Sequence, residues 1–352
     1  MRILFLSTRK TKPSFRFRVE QFLPRLEQAG FSCDVQFLDS RFWKRIWDYR
    51  RIAKYNIVVV QKKLFGSLEL QQLRRHAEKL VYDLDDAIML DSTGQKDNRR
   101  ERRFRNMMRS ADLVICGNLY LQDRAAQFAE NTVHLPTGID TDTFSPEFHN
   151  PTLPFFKGEG RGEGVEFEET QPVTLGWTGS SSTNRYLNEL FPVFLKFGNR
   201  IQLKILSDSE NDFDYDKLGE VPYRFVCWKS EIEVDEARTF DIGLMPLPEN
   251  DWTKGKCGFK AIQYLSLGIP AIVSPVGVNC EIVRRGVHGF HAKTNAEWAK
   301  SLEMLIVDEA LRDRMGTAGR EHVKRNYSVK ILSVKMIEVL KKLHSTRKRC
   351  AA

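Results

Sequence analysis

Between Lys254 and Glu281 the sequence KGKCGFKAIQYLSLGIPAIVSPVGVNCE sets three lysines, Lys254, Lys256 and Lys260, around glycines at the entry of an amphipathic helix. A sharp stop at Gly268-Ile269-Pro270 follows, then a short apolar strand and a second glycine loop. Backbone N–H groups at a helix start and ammonium groups beside them converge on anions, so the pattern suits a phosphate-bearing ligand. Lys256 and Lys260 are four residues apart, the spacing that shares one helix face. A solvated basic turn is the simpler alternative.

Three further groupings carry chemistry. In GWTGSSSTNRYL a strand ends at Gly179 and the hydroxyl run Ser180, Ser181, Ser182 and Thr183 precedes a helix. Small residues admit a ligand close to the backbone, although the same run also makes an ordinary N-cap. It lacks the Gly-Lys-Ser/Thr ending of a Walker loop. Asp83, Asp85 and Asp86 crowd a strand end, where like charges demand cationic partners or raised pKa values. They read as helix caps, as an acid/base or sugar-hydroxyl site, or as ligands of a metal. Arg9, Lys10, Ser14, Arg16 and Arg18 follow the first strand and face a cleft between domains. The histidines His76, His134, His288 and His291 show no ligand spacing.

These residues need a frame, and the chain offers an α/β one. Short apolar strands at Ile3–Ser7, Cys33–Leu38, Ile57–Gln61, Leu80–Asp83, Leu113–Cys116 and Thr132–Leu135 alternate with helices, among them Arg16–Ala29, which Gly30 would stop. Residues 142–172 are rich in Pro, Gly and Glu and read as a linker. The rhythm restarts with Thr174–Trp177, and a helix is expected over Tyr186–Phe197. Two Rossmann-like, doubly wound domains with an inter-domain cleft follow: 1–165, 166–330, and an amphipathic helix with a basic tail over 331–352.

Composition narrows the class. The 352 residues are 41% hydrophobic and 29% charged, as in soluble globular proteins, and suffice for two cores. MRILFLSTRK reads as a first strand rather than a signal peptide. The six scattered cysteines lack paired spacing, which points to free thiols in a cytoplasmic setting and away from a structural zinc. The net charge of +9 is concentrated early: residues 1–150 hold 26 Lys and Arg against 19 Asp and Glu. Basic clusters at Arg41–Arg45, interleaved with Phe42, Trp43 and Trp47, and at Arg99–Arg105 suit an anionic membrane surface or anionic substrate. No recognition helix or RNP-type motif supports nucleic acid.

With those residues assembled, the chain resembles the GT-B fold glycosyltransferases of family 4, the glycosyl transferases group 1, over nearly its whole length. The resemblance is densest in DIGLMPL and in KGKCGFKAIQYLSLGIPAIVSPVGVNCEIVRRGVHGF, and extends to SFRFRVEQFLPRLEQAGF, YDLDDAI, GNLYL and PTGIDTDTFSP. It implies a nucleoside-diphosphate sugar held by the second domain, a glycan or lipid-linked acceptor held by the first, transfer with retention, and no metal or other cofactor. It further implies that Gly179, Ser180, Ser181 and Thr183 with Lys254, Lys256 or Lys260 hold the diphosphate, and that Gln263 stands where a ribose-binding Glu is usual. Trp228 would lie near the base, Val278, Asn279 and Glu281 along the donor, and Asp85 or Asp86 near the reacting sugar. Arg9, Ser14 and Arg16 would meet the acceptor. The family's Glu pair is replaced by Gly255 and Gln263, so a GT-B scaffold that binds nucleotide without chemistry is the alternative. A cytoplasmic enzyme of cell-surface polysaccharide synthesis, peripheral at the inner membrane face, is the expectation.

Overall fold

The computed structural model describes residues 1–91, 93–147 and 171–346, with only the backbone of Ser182. Most of the expected linker and the basic tail beyond residue 346 lie outside the described residues. Two six-stranded parallel sheets carry the fold. The first comprises β1 (Arg2–Ser7), β2 (Ser32–Phe37), β3 (Ile57–Gln61), β4 (Lys79–Leu84), β5 (Leu113–Cys116) and β6 (Thr132–His134), ordered β2-β1-β3-β4-β5-β6. The second comprises β7 (Val173–Gly179), β8 (Ile201–Ser207), β9 (Tyr223–Cys227), β10 (Ile242–Met245), β11 (Ala271–Val273) and β12 (Gly289–His291), ordered β12-β11-β10-β7-β8-β9. Parallel strands are covered on both faces, which is why IVVVQ of β3 is apolar throughout and every residue in it is buried.

The strands match the apolar runs, but two helices do not match their periodicity. The segment expected as one helix over Arg16–Ala29 is a helix Pro13–Arg18, a 3₁₀ turn Glu20–Phe22 and a helix Leu23–Gln28. Pro24 has no N–H to continue an earlier helix and starts a new one instead. Pro192 likewise divides Tyr186–Phe197 into the short helices Arg185–Asn188 and Phe191–Phe194. Gly30 caps as expected: its φ is +86°, and the Phe31 N–H returns to the Leu26 carbonyl. The helix Phe42–Asp48 buries none of its residues, so no apolar stripe announces it; Trp43 is 76% and Trp47 61% exposed.

The terminal helix Val329–Ser345 packs onto the first sheet. Val329, Leu332, Met336 and Leu340 join Ile3, Phe5, Val59 and Ile115 in one cluster. The chain therefore passes between the domains near Ile139 and returns near Ser328. These two crossings lie side by side: the Ile139 N–H donates to the Tyr327 carbonyl and the Val329 N–H to the Ile139 carbonyl, both at 2.9 Å.

One short helix ties several layers together. In Pro13–Arg18, Phe17 enters an apolar cluster of the second domain and lies 4.0 Å, ring to ring, from Phe259. Its neighbour Arg18 turns into the first domain, fully buried, where its guanidinium grips both oxygens of Asp83 and donates to the Leu135 carbonyl at 2.8 Å. Burial works against the Arg18 charge, but Asp83 beside it raises its pKa overall. Removing one member of such a pair strands the other charge. Asp83→Ala is therefore expected to cost about 3–5 kcal/mol in chemical denaturation of the first domain. Glu303→Ala, which breaks a half-exposed pair with Arg200, is expected to cost under about 1 kcal/mol. Equal effects would overturn this ranking.

Candidate active site between the two domains

The loops at the C-terminal ends of both sheets meet. From the first domain come Asp85–Ala87, after β4, and Gly117-Asn118, after β5; from the second comes the stretch Lys254–Gly258. Asn118 is buried and works in two directions. Its Oδ1 caps the helix Leu119–Ala126 by accepting from the Leu121 N–H at 2.7 Å. Its amide donates across the interface to the carbonyls of Lys256 at 3.0 Å and Lys254 at 3.4 Å. The Cys257 thiol donates to the Asp85 carbonyl at 3.1 Å. The approach needs glycine: a Cβ on Gly117 would lie 2.4 Å from Cys257 Sγ, and one on Gly255 would lie 2.9 Å from the Ala87 nitrogen.

The expected repulsion among the aspartates is answered by cations. Arg18 takes Asp83. Lys62, directly after β3, reaches Asp86 at 3.1 Å and Asp85 at 3.4 Å. Lys256 approaches Asp86 from the second domain, at 3.8 Å. Burial opposes the Asp86 charge, yet Lys62 and Lys256 hold its pKa below the ordinary carboxylate value. The Oδ1 of Asp85 is buried with Lys62 Nζ 3.4 Å away as its ion-pair partner, but it receives no well-aligned hydrogen bond. An acceptor oxygen in that state suits a hydroxyl donor from a ligand. These aspartates cap no helix, since the chain continues in turns to Leu90. Among the described residues, no group of three or more His, Cys, Asp or Glu is placed to hold a metal ion.

Lys256 and Lys260 do not share a helix face. Gly258 is left-handed at φ +66°, so the helix begins only at Phe259 and Lys256 belongs to the loop before it. Lys256 lies over the Trp252 ring at 3.7 Å and faces Asp86. Lys260 turns to β7, 4.9 Å from the Trp177 ring centre. There the missing side chain of Gly179 makes room: a Cβ would fall 2.8 Å from Lys260 Nζ. Burial, with repulsion from Lys256, pulls the Lys260 ammonium down to about 7. The ammonium thus sits at the mouth of the glycine-serine loop. That loop is partly committed already, with the Ser181 N–H given to Asp208 at 2.6 Å and the Thr183 hydroxyl to the Ser180 carbonyl at 2.9 Å.

The other expected residues divide into neighbours and outliers. Val278 and Asn279 are buried against Gly258, and Asn279 holds its loop by donating to the Ser274 carbonyl at 2.9 Å. Glu281 is exposed on the short helix Asn279–Ile282. Trp228 follows β9 and packs on the second-domain core. Lys254 is partly exposed, its carbonyl taken by Asn118. Gln263 is buried and donates to Glu233 at 2.7 Å. Arg16, expected to meet an acceptor, instead pairs across the cleft with that same Glu233, because its side chain leaves the helix beside Phe17 and Phe144. Arg9 is exposed, and Ser14 is set apart from Arg16, with its carbonyl bound by Gln61. Sequence reasoning missed Lys62, Asn118 and Glu233. Lys62 and Asn118 follow strand ends, the place to look in such sheets; Glu233 had no comparable signal.

Replacing Gly255 by Ala forces its Cβ against the Ala87 backbone and should separate the domains. Small-angle scattering is expected to show a larger radius of gyration than for the wild type, and an unchanged radius would refute the contact.

Residues 251–322 match the family model for Glycosyl transferases group 1. No curated protein matches the chain. Among solved structures it is similar to sucrose-phosphate synthase from Thermosynechococcus elongatus, at 14% identity and a TM-score of 0.75, covering 97% of this chain and 99% of that one. It is similar to HepE of Anabaena in complex with UDP and glucose, at 15% identity and a TM-score of 0.71, covering 97% and 100%. A glycosyltransferase from Rickettsia africae aligns at 13% identity and a TM-score of 0.71, covering 98% and 99%. At such identities the likeness establishes architecture: two Rossmann-like domains facing a cleft, the GT-B fold.

Proposed function

We propose that the protein is a retaining glycosyltransferase that moves a sugar from a nucleoside-diphosphate sugar to a glycan or lipid-linked acceptor, in cell-surface polysaccharide synthesis at the inner face of the membrane. The observation that carries this reading is the placement of Lys256 and Lys260 at the cleft, one facing Asp86 and the other against Gly179. Departure of a nucleoside diphosphate leaves negative charge, and fixed cations in a water-poor cleft stabilise it. The Oδ1 of Asp85, ion-paired with Lys62 but without an aligned hydrogen bond, can accept from a hydroxyl of the sugar or acceptor. The solved relative in complex with UDP and glucose supports the donor class. The retaining outcome follows from the family resemblance. No described helix is long and apolar enough to cross a membrane, and the exposed Trp43 and Trp47 beside Lys44 favour contact with its surface.

A second reading has its own support. Gln263, standing at an acidic position of the family, is committed to Glu233, which fits a scaffold that binds nucleotide without turnover. Thermal shift against UDP, GDP, ADP and their sugars, followed by turnover of a labelled donor, separates the two. Binding at a hundredfold excess over Kd should add about 2.7 kcal/mol of stability. Lys256→Ala and Lys260→Ala are each expected to lower kcat by about a hundredfold or more. Intact transfer in both variants would refute the assignment, and binding without turnover in the wild type would favour the scaffold.

The depressed Lys260 pKa has a measurable sign. Between about pH 7 and the unfolded value near 10.4 the unfolded chain holds the extra proton, so stability from this site rises with pH. Below pH 7 both states carry the proton and the burial penalty is undiminished. A bound diphosphate restores the ammonium, so nucleotide binding at pH 8 should take up most of one proton. Calorimetry in buffers of different ionisation enthalpy reads this uptake, which should vanish in Lys260→Met. Buffer-independent binding by the wild type would refute it.

A further inference from the structure

A separate crevice opens in the first domain. The strand order reverses between β1 and β3, so the loops leaving these neighbours diverge at their C-terminal ends, the place where open parallel sheets take ligands. A cavity of about 300 Å³ lies there. Five cations line it, Lys12, Lys62, Lys63, Arg100 and Arg103, and no carboxylate does. Two of the five are partly neutralised, Lys62 by Asp85 and Asp86 and Arg100 by Asp97 at 3.5 Å. Lys12, Lys63 and Arg103 have no carboxylate within ion-pair distance among the described residues. The cost of gathering them is visible at Lys12: burial, then repulsion from Lys62, Arg9 and Lys63, lowers its pKa. Lys62 also holds a left-handed backbone, φ +51°, that a lysine rarely adopts. Strain of this kind gathers at functional sites.

The crevice is also connected to the chemistry. Lys62 forms one wall, and its ammonium reaches Asp85 and Asp86 on the far side. Thr8 and Ser14 add hydroxyl-bearing side chains on the β1 side. Cations without a carboxylate partner beside hydroxyl groups, next to the Asp85 carboxylate, match a ligand that carries phosphate at one end and a nucleophilic hydroxyl near the other.

We infer that this crevice seats a phosphate or diphosphate group of the acceptor, so that the sugar is transferred to an anionic, phosphate-bearing molecule. The inference rests on the sugar-transfer reading and names its acceptor class. A soluble sugar phosphate and a lipid-linked diphosphate offer the same chemistry to Lys12, Lys63 and Arg103.

Isothermal titration with glucose 6-phosphate and with farnesyl diphosphate distinguishes these sources, run with and without a saturating nucleoside diphosphate so that the donor site is occupied. The wild type is expected to bind one of the two probes at unit stoichiometry in both conditions. Lys63→Gln with Arg103→Gln should weaken that binding at least tenfold and leave nucleotide affinity unchanged, which also verifies that the variant is folded. Arg50→Gln with Arg51→Gln removes the same charge from exposed positions of the same domain and should alter phosphate affinity less than twofold. Equal weakening by both pairs would reduce the crevice to a diffuse field and overturn the inference, as would failure of both probes to bind. If no nucleotide binds but the crevice behaves as expected, the sugar-transfer reading fails and the phosphate site stands.

Discussion

Asp86 is held from both sides. Lys62 of its own domain and Lys256 of the other converge on one carboxylate, and the cleft is assembled around that triad. Lys62 also reaches Asp85, so two ammonium groups and two carboxylates form one balanced cluster where the domains meet. The same triad fixes spacing. Lys256 reaches Asp86 only because its loop lies flat on the first domain, and the loop lies flat only because Gly255 and Gly117 lack side chains and Asn118 holds its carbonyls. Charge complementarity and close packing are therefore one arrangement.

The helix Pro13–Arg18 repeats the theme with different chemistry. Three consecutive residues answer to different parts of the molecule: Arg16 to Glu233, Phe17 to Phe259, Arg18 to Asp83. Through Glu233 the first of these also orders Gln263. Arg16 is thereby engaged at the interface, while the neighbouring crevice draws its cations from Lys12 at the start of this helix, from Lys62 and Lys63 just after β3, and from the helix Asn98–Ser110.

What could be read from the chain follows physical range. Strands such as Ile57–Gln61 were legible because two-sided burial demands apolar residues at every position. Helix boundaries failed where Pro24 and Pro192 interrupt a persisting apolar pattern, since periodicity alone cannot register a missing N–H. The lysines at the cleft were legible as a group, but their directions were not. The left-handed Gly258 uncouples Lys256 from the helix, and φ is not written in residue spacing. The partners of the aspartates were least accessible. Arg18 is 65 positions from Asp83 and Lys256 is 170 from Asp86, so their pairing is a product of topology.

The two side-by-side crossings at Ile139 and Ser328 give the molecule a mechanical property. Two bodies joined by a single strand can swing and twist independently, but joined by two strands hydrogen-bonded to each other they share one pin. Motion about such a pin is a rotation whose arm lengthens with distance from it. A small turn at Tyr327 is then magnified where Lys256 faces Asp86, so opening and registration of the cleft amount to a single angular coordinate.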